Sequence, residues 1–542
     1  MIVIRKGAIV VLTLITNGKI YTFNQKEEIV QSIVVDGEKI IDLGTDRDMK
    51  LQYGSQIKNI IDLQGKTAIP GLTDSHMHLS GVASNFIELN LTGVKSKQEM
   101  LNQIKEKASS LPKGEWLLGR GWDENLFEEG SIPTIAELDE AAKDHPLFLG
   151  RICGHAFLAN KKAFEVCQVS PLHVPAGGEI VLDPITKEPT GLILETASEL
   201  FTKHIPDKSY EQWKAALKKA MEYCMKCGLT SIHTNDPLYL GGFDQTYQLY
   251  DELIHQEKIG LRCHLLIDYP FLSLLNEKNR LPGYGNSRLN IGAIKIFADG
   301  ALGRRTALLS EPYEDDPSNY GTAIHDEKKL FEMIQKAREY NAPVAVHTIG
   351  DKALENVLNI LEQLPEVSMR DRVIHASILR PDLIQRMKKT TLIADIQPRF
   401  IPSDFPWIEE RIGKKRTEFA YPFKTMLQNG ILCAGGSDAP IEPVEPLLGI
   451  HAAVTRKRKE EHHDGYIPHE KISIKEAIQL YTIGGAYASN EENVKGTIEK
   501  GKYADLTVLS HDLLQLKDPD EILDTSVEMT IIGGKQTYTK YE

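Results

Sequence analysis

The string Asp74-Ser75-His76-Met77-His78 has residue types and a spacing that could do chemistry. Side chains alternate along a strand, so histidines two residues apart share a face. Neutral imidazoles displayed together are good ligands for a divalent transition metal. An H-x-H pair also arises by chance, so its weight depends on its company. His347 closes PVAVHTIGD, His375 closes DRVIHAS, and Asp438 sits in GGSDAP. Each ends a run of β-branched or small residues, where a parallel barrel displays catalytic groups. One such residue would read as a satisfied core histidine or a capping aspartate. Several in register read as a site.

Lys295 lies inside the apolar string IGAIKIFADG. Burying an ammonium is costly and lowers its pKa. A neutral amine can add carbon dioxide to give a carbamate, whose two oxygens can bridge two metals. Pairing with Asp299 at the strand end is the plainer alternative, and spacing alone does not choose between them.

These residues need strands to carry them. Eight candidate buried strands follow in order: AIPGLTDSHMHL, LTSIHTND, LRCHLLI, IGAIKIFADG, APVAVHTIGD, RVIHAS, TLIADIQPRF and ILCAGGSDAP. Most are preceded by a helical pattern, such as EKKLFEMIQKAREYN before the fifth and YPFKTMLQNG before the eighth. The alternation predicts an α/β fold, a TIM-type (β/α)₈ barrel, over a doubly wound open sheet. Roughly 150 residues separate the first strand from the second, too many for a βα connection. Residues 82–205 therefore read as an inserted subdomain, expected at the barrel mouth, within a hydrolase barrel spanning 67–491. Both chain ends are β-rich with Asn-Gly, Asp-Gly and Gly-Gly turns. They predict a small composite β-sandwich from residues 1–66 and 492–542.

Hydrophobic residues make up 41% and charged residues 26%, with a net charge of −13. That balance argues for a small-molecule partner, not nucleic acid or a membrane surface. The run Arg456-Lys457-Arg458-Lys459 is followed by Glu460 and Glu461 and reads as a solvated face, with an anionic-ligand patch as the alternative. Six cysteines are too scattered for a disulfide framework. Cys224 and Cys227 form a C-x-x-C pair at a helix end, where packing is expected. Arg5-Lys6 before the apolar run Ala8 to Ile15 superficially resembles a signal peptide. No small-residue cleavage site follows, and Thr16-Asn17-Gly18-Lys19 looks like a hairpin turn. No stretch reaches the ~20 apolar residues of a membrane helix. A cytoplasmic location is expected.

DSHMHL, strand-end Lys295, His347, His375, Asp438 and the tail GTIEKGKYADLTVL together resemble the amidohydrolase superfamily. KIFADGALGRRTALLSEPY, GRGWDEN, GHAFLAN and HTIGDKA are similar to its amidohydrolase-3 branch, which contains N-substituted formamide deformylases. The resemblance runs from LITNGKIYTF to ADLTVLS. It implies that His76 and His78 bind the more buried metal with Asp438, and that carbamylated Lys295 bridges to a second ion on His347 and His375. One or two divalent ions fit, zinc first, with iron or manganese as alternatives. Metal-bound hydroxide would attack a carbonyl carbon, with Asp438 acting as general base and then general acid.

The implied reaction is hydrolysis of a small-molecule C–N bond, in an N-substituted formamide or acylated amine. A cyclic amide or imide would present the same carbonyl, and a non-catalytic binding or regulatory protein could use the same scaffold. Trp122, Asp123, Arg151 and His155 in the insert are candidate substrate contacts. So are Arg304 and Arg305 after the fourth strand and Gln397 and Arg399 after the seventh. Each could instead be salt-bridged scaffold, and His233 reads as core or as support for the site. Family analogy makes a homodimer an expectation.

Overall fold

The computed structural model describes residues 11–540, except 153–154, 171–172 and 176. The described residues form two compact units, one of residues 11–80 with 220–540 and one within residues 81–219.

In the larger unit, eight strands make one parallel sheet in chain order. They are Leu72–Met77, Leu229–Thr234, Arg262–Asp268, Leu289–Phe297, Val344–Thr348, Arg372–His375, Ile393–Ile396 and Leu432–Gly435. Nearly all their residues are buried, because helices cover the outer face and side chains fill the inside. That is why they read as near-continuous apolar runs. The eighth strand meets the first through the segment that follows it. Ser437 donates to Asp74 through its backbone N–H at 3.1 Å and its hydroxyl at 2.5 Å. Asp438 N–H donates to His76 O, and His78 N–H to Ala439 O, each at 2.7 Å. Gly436 permits this approach, since a Cβ there would stand 2.7 Å from His76 N. The sheet is a TIM-type barrel.

The chain ends supply two further sheets. Leu12–Thr16, Ser32–Asp36, Lys39–Gly44 and Ile57–Asp62 form one. Lys19–Tyr21, Ile29–Val30 and Thr67–Pro70 join the C-terminal strands Leu506–Leu509, Val527–Ile532 and Lys535–Thr539 in the other. Ile15, Ile33 and Val35 pack with Leu506, Val508 and Ile531 in one core.

Two local expectations fail here. Asn17-Gly18 is not a hairpin turn: the strand before it pairs with Ser32–Asp36, and the strand after it enters the other sheet. Asn17 does bend the chain, at φ 58°, but a turn signal reports a bend and not the strand's partner. The string AIPGLTDSHMHL is also not one strand. Thr67–Pro70 pairs with Leu506–Leu509, and the barrel strand begins at Leu72, beyond Gly71. Arg5-Lys6 and the start of the apolar run lie outside the described residues.

The unit of residues 81–219 has its own six-stranded mixed sheet. Its spatial order is Leu89–Asn90, Leu117–Trp122, Leu147–Arg151, Ala156–Ala159, Pro189–Leu194 and Glu179–Leu182. Trp122, Leu138, Leu149 and Leu158 pack in its core. Among the described residues, no helix is long and apolar enough to cross a membrane. The described cysteines, Cys224 and Cys227 among them, are buried free thiols.

Candidate metal centre

His76, His78, Lys295, His347, His375 and Asp438 converge at the C-terminal ends of barrel strands one, four, five, six and eight. Asp438 Oδ1 stands 3.4 Å from His76 Nε2 and 3.4 Å from His78 Nε2. Lys295 Nζ is 3.2 Å from His76 Nε2. His347 Nδ1 is 3.1 Å from His375 Nε2. The His76 and His375 rings, 5.8 Å apart, join the two groups. Two of these residues sit on unfavourable backbone, His375 at φ 78° and Asp438 at φ 56°. Left-handed non-glycine residues cluster where surroundings hold them for function.

The other ring nitrogens have defined partners. His78 Nδ1 lies 2.8 Å from the carbonyl of Asn235. A carbonyl only accepts, so this nitrogen carries the proton and Nε2 is bare. His375 Nδ1–H donates to Gln397 Oε1 at 2.7 Å, an orientation fixed because Gln397 Nε2 donates to Asp395 O at 3.0 Å. His347 Nε2–H faces Gly300 O at 3.2 Å. Thus His347 Nδ1 and His375 Nε2 are two lone pairs pointed at each other. Donors at ~2.0–2.1 Å around a tetrahedral ion stand about 3.3 Å apart. The spacings of 3.1–3.4 Å match that edge, and the donor atoms of His76, His78 and Asp438 all lie within 4.8 Å of one another. A cation fits this donor set.

Burial drives the titration here. It pushes His76 and His347 well below the usual histidine value, helped by the charge of Lys295. It lowers His375 to about 4, against the pull of Asp438. Lys295 falls to about 8, again by burial, with Asp438 and Asp395 resisting. Burial alone would raise Asp438, but its contact with His78 and the charge of Lys295 hold it below the usual carboxylate range, and the same contact raises His78. Neutral His76, His347 and His375 beside an ionised carboxylate are the protonation states a divalent metal needs, and His78 offers Nε2 once that nitrogen has lost its proton.

Lys295 does not pair with Asp299. That carboxylate turns to backbone N–H groups of Leu308, Ile349 and Gly350. Gln397 is fully engaged with His375 and Asp395, so it orients a ring. Arg399 points to Glu442 at 3.4 Å and Arg305 to Asp315 at 2.7 Å, while Arg304 is exposed. In the insert unit, Trp122 is buried with Nε1–H donating to Leu149 O. Asp123 caps the turn at Asn125 and pairs with Arg151 at 2.9 Å. His155 is exposed and pairs with Glu195 at 3.0 Å. His233 is buried inside the barrel against Arg372 and His264.

Asp268 ends the third strand in register with Lys295. It is buried, with Oδ2 lacking a hydrogen-bond partner. The signal that marks His347, a polar residue closing an apolar run, also marks Asp268, one residue beyond the segment LRCHLLI. The rings of Phe400 and Tyr239 lie against His375 and His78 at 6.0 and 5.9 Å. Nothing in their sequence neighbourhood distinguishes them from ordinary loop aromatics.

A barrel with such a centre is a metal-dependent hydrolase fold, and comparison with known proteins narrows the class. Residues 59–538 match the amidohydrolase family model, and the chain belongs to that family. It is 40% identical over 525 residues to YtcJ of Bacillus subtilis (strain 168), whose amidohydrolase assignment is itself provisional; the match covers 96% of this chain and 98% of that one. It is 26% identical over 548 residues to the N-substituted formamide deformylase of Arthrobacter pascens, covering 97% and 98%. Among solved structures it is similar to an uncharacterised metal-dependent hydrolase from Pyrococcus horikoshii, with TM-score 0.77, 31% identity, and 93% and 99% coverage. The protein is a hydrolytic enzyme for carbon–nitrogen bonds other than peptide bonds.

Proposed function

We propose that the enzyme hydrolyses a linear amide in a small molecule, an N-substituted formamide or an acylated amine. Its metal ligands in this reading are His76, His78, Lys295, His347, His375 and Asp438. The carrying observation is the pair of bare lone pairs on His347 and His375, 3.1 Å apart. Facing acceptors repel unless a cation lies between them. The nitrogen-rich, tetrahedrally spaced donors favour zinc. Lys295, lowered to about 8 by burial, holds about a tenth of its amine neutral at pH 7. That fraction can add carbon dioxide and release a proton, and the resulting carbamate would offer oxygen donors to a bound ion.

A bound ion would supply Lewis acidity, lowering the pKa of a water ligand towards ~7 and polarising a carbonyl oxygen. The chain's residues do the rest. Asn235 and Gln397 hold the His78 and His375 rings in single tautomers. Asp438, kept ionised by His78, takes a proton from the attacking water as the new C–O bond forms. It returns that proton to the amide nitrogen as the C–N bond breaks, and the amine leaves neutral. The deformylase relative supports the choice of a formamide.

The test is a panel of N-substituted formamides and acylated amines, assayed as purified, after chelation, and after return of zinc, iron or manganese. Turnover lost on chelation and restored by an ion is expected. Hydrolysis of cyclic imides alone, or turnover indifferent to chelation, would overturn the proposal.

A further inference from the structure

Asp299 lies two residues past the end of the fourth barrel strand and is 1% exposed. Three backbone N–H groups point at its carboxylate. Oδ1 accepts from Ile349 at 3.0 Å, and Oδ2 accepts from Gly350 at 2.8 Å and Leu308 at 2.9 Å. His347 Nε2, whose N–H donates to Gly300 O, lies 3.6 Å from Oδ1, close enough to feel its charge. Only a carboxylate accepts from all three, because an asparagine would present its own N–H groups to at least one of them.

The next residue serves the same imidazole. Gly300 O is 3.2 Å from His347 Nε2. A Cβ at position 300 would stand 2.3 Å from Thr306 Oγ1, so glycine lets this carbonyl come close. Ile349 and Gly350 lie two and three residues after His347 in HTIGD, and Ala298 N–H donates to His347 O at 3.1 Å. Strand ends four and five are thus fastened on both sides of one histidine. His78 and His375 have comparable backing from Asn235 and Gln397.

We propose that Asp299 is the positioning residue of His347. With the carbonyl of Gly300 it fixes the Nε2–H tautomer and the ring orientation that turns Nδ1 towards His375. The inference rests on the reading of His347 as a ligand. Asp299 touches neither substrate nor metal. It also gives the motif KIFADG a purpose beyond Lys295.

The test uses full-length protein and zinc alone. Zinc affinity and ions per chain would be measured for wild type, Asp299→Asn, His347→Ala and the double variant, with metal-free thermal unfolding as a check on folding. Asp299→Asn is expected to weaken zinc binding 10–100-fold, the effect typical of a partner behind a metal-bound histidine. The same substitution should add nothing in the His347→Ala background. Loss of zinc in His347→Ala but none in Asp299→Asn would overturn the inference alone. Full zinc retention in His347→Ala would instead overturn the ligand reading beneath it.

Should Asp299→Asn not fold, the metal-free wild type still decides. Selective ¹⁵N-histidine labelling, with His347→Gln to assign the resonance, should show His347 protonated at Nε2. Protonation at Nδ1 would contradict the proposal.

Discussion

Two polar clusters lie inside the same barrel, and they are built on opposite principles. Towards the N-terminal ends of the strands, Arg372 Nε donates to Asp395 at 2.9 Å. Its Nη2 donates to Asp395 and Ser75 O, its Nη1 faces His233 Nδ1 at 3.4 Å, and Ser75 Oγ donates to Asp395. Here every charge meets its opposite. At the mouth, bare nitrogens face each other, and His76 Nδ1 has no hydrogen-bond partner. A buried polar group left unpaired costs free energy, so native interiors pair theirs. The Arg372–Asp395 ion pair of the lower cluster is complete in protein alone, although the neighbouring His233 Nε2 also lacks a partner, whereas the facing nitrogens of the upper cluster would be satisfied by a cation.

Breaking each cluster should therefore give different losses. The largest effect is expected at Asp438. Asp438→Asn should keep much of its metal yet lose about 10²–10⁴-fold in turnover, the range for proton transfer by a positioned group. Near-wild-type turnover would remove Asp438 from that role. Next comes Arg372→Leu, which strands Asp395 without a counter-charge. Urea unfolding should show a loss of about 3–5 kcal/mol, with ions per folded chain unchanged. A lost ion would blur the distinction between the clusters.

A further part-buried ion pair, Glu491 with Lys495, should give stability a pH dependence. Glu491 is half-buried, which would raise it, yet its salt bridge to Lys495 at 2.6 Å lowers it to about 2, from 4.5. A carboxyl depressed in the folded state stabilises above its unfolded pKa. That contribution should drain away as pH falls from about 4.5 towards 2, on the order of 2–3 kcal/mol. Glu491→Gln should flatten the acid limb of stability against pH, and an unchanged limb would refute the assignment. The smallest effect is expected at Gln397. Gln397→Leu frees the His375 tautomer and should weaken zinc binding about 10–100-fold with little change in unfolding. A large stability loss with unaltered affinity would make Gln397 ordinary scaffold.

The upper cluster was legible in the sequence and the lower one was not. His76, His347, His375 and Asp438 each interrupt an apolar run at its end, a local signal that barrel geometry makes meaningful. Arg372 and Asp395 sit within or at the start of such runs, and their partners lie in other strands. Nothing local pairs Ser75 with Asp395. Asp299 entered as the alternative partner for Lys295 because sequence gives proximity along a strand, while the backbone N–H groups that occupy it arrive from two later loops. Gln397 was read as a substrate contact for the same reason. Its place at the end of the seventh strand put it at the barrel mouth, but only the fold shows His375 beside it. The Asn17-Gly18 error is similar, since the bend was local and the sheet was not.

The central claim is that the mouth cluster is a metal centre. Counting transition-metal ions per chain in purified wild type and in His375→Ala tests it most directly. One or two ions in the wild type, with fewer in the variant, is the predicted result. A wild type that stays metal-free after reconstitution with zinc, iron or manganese would contradict it.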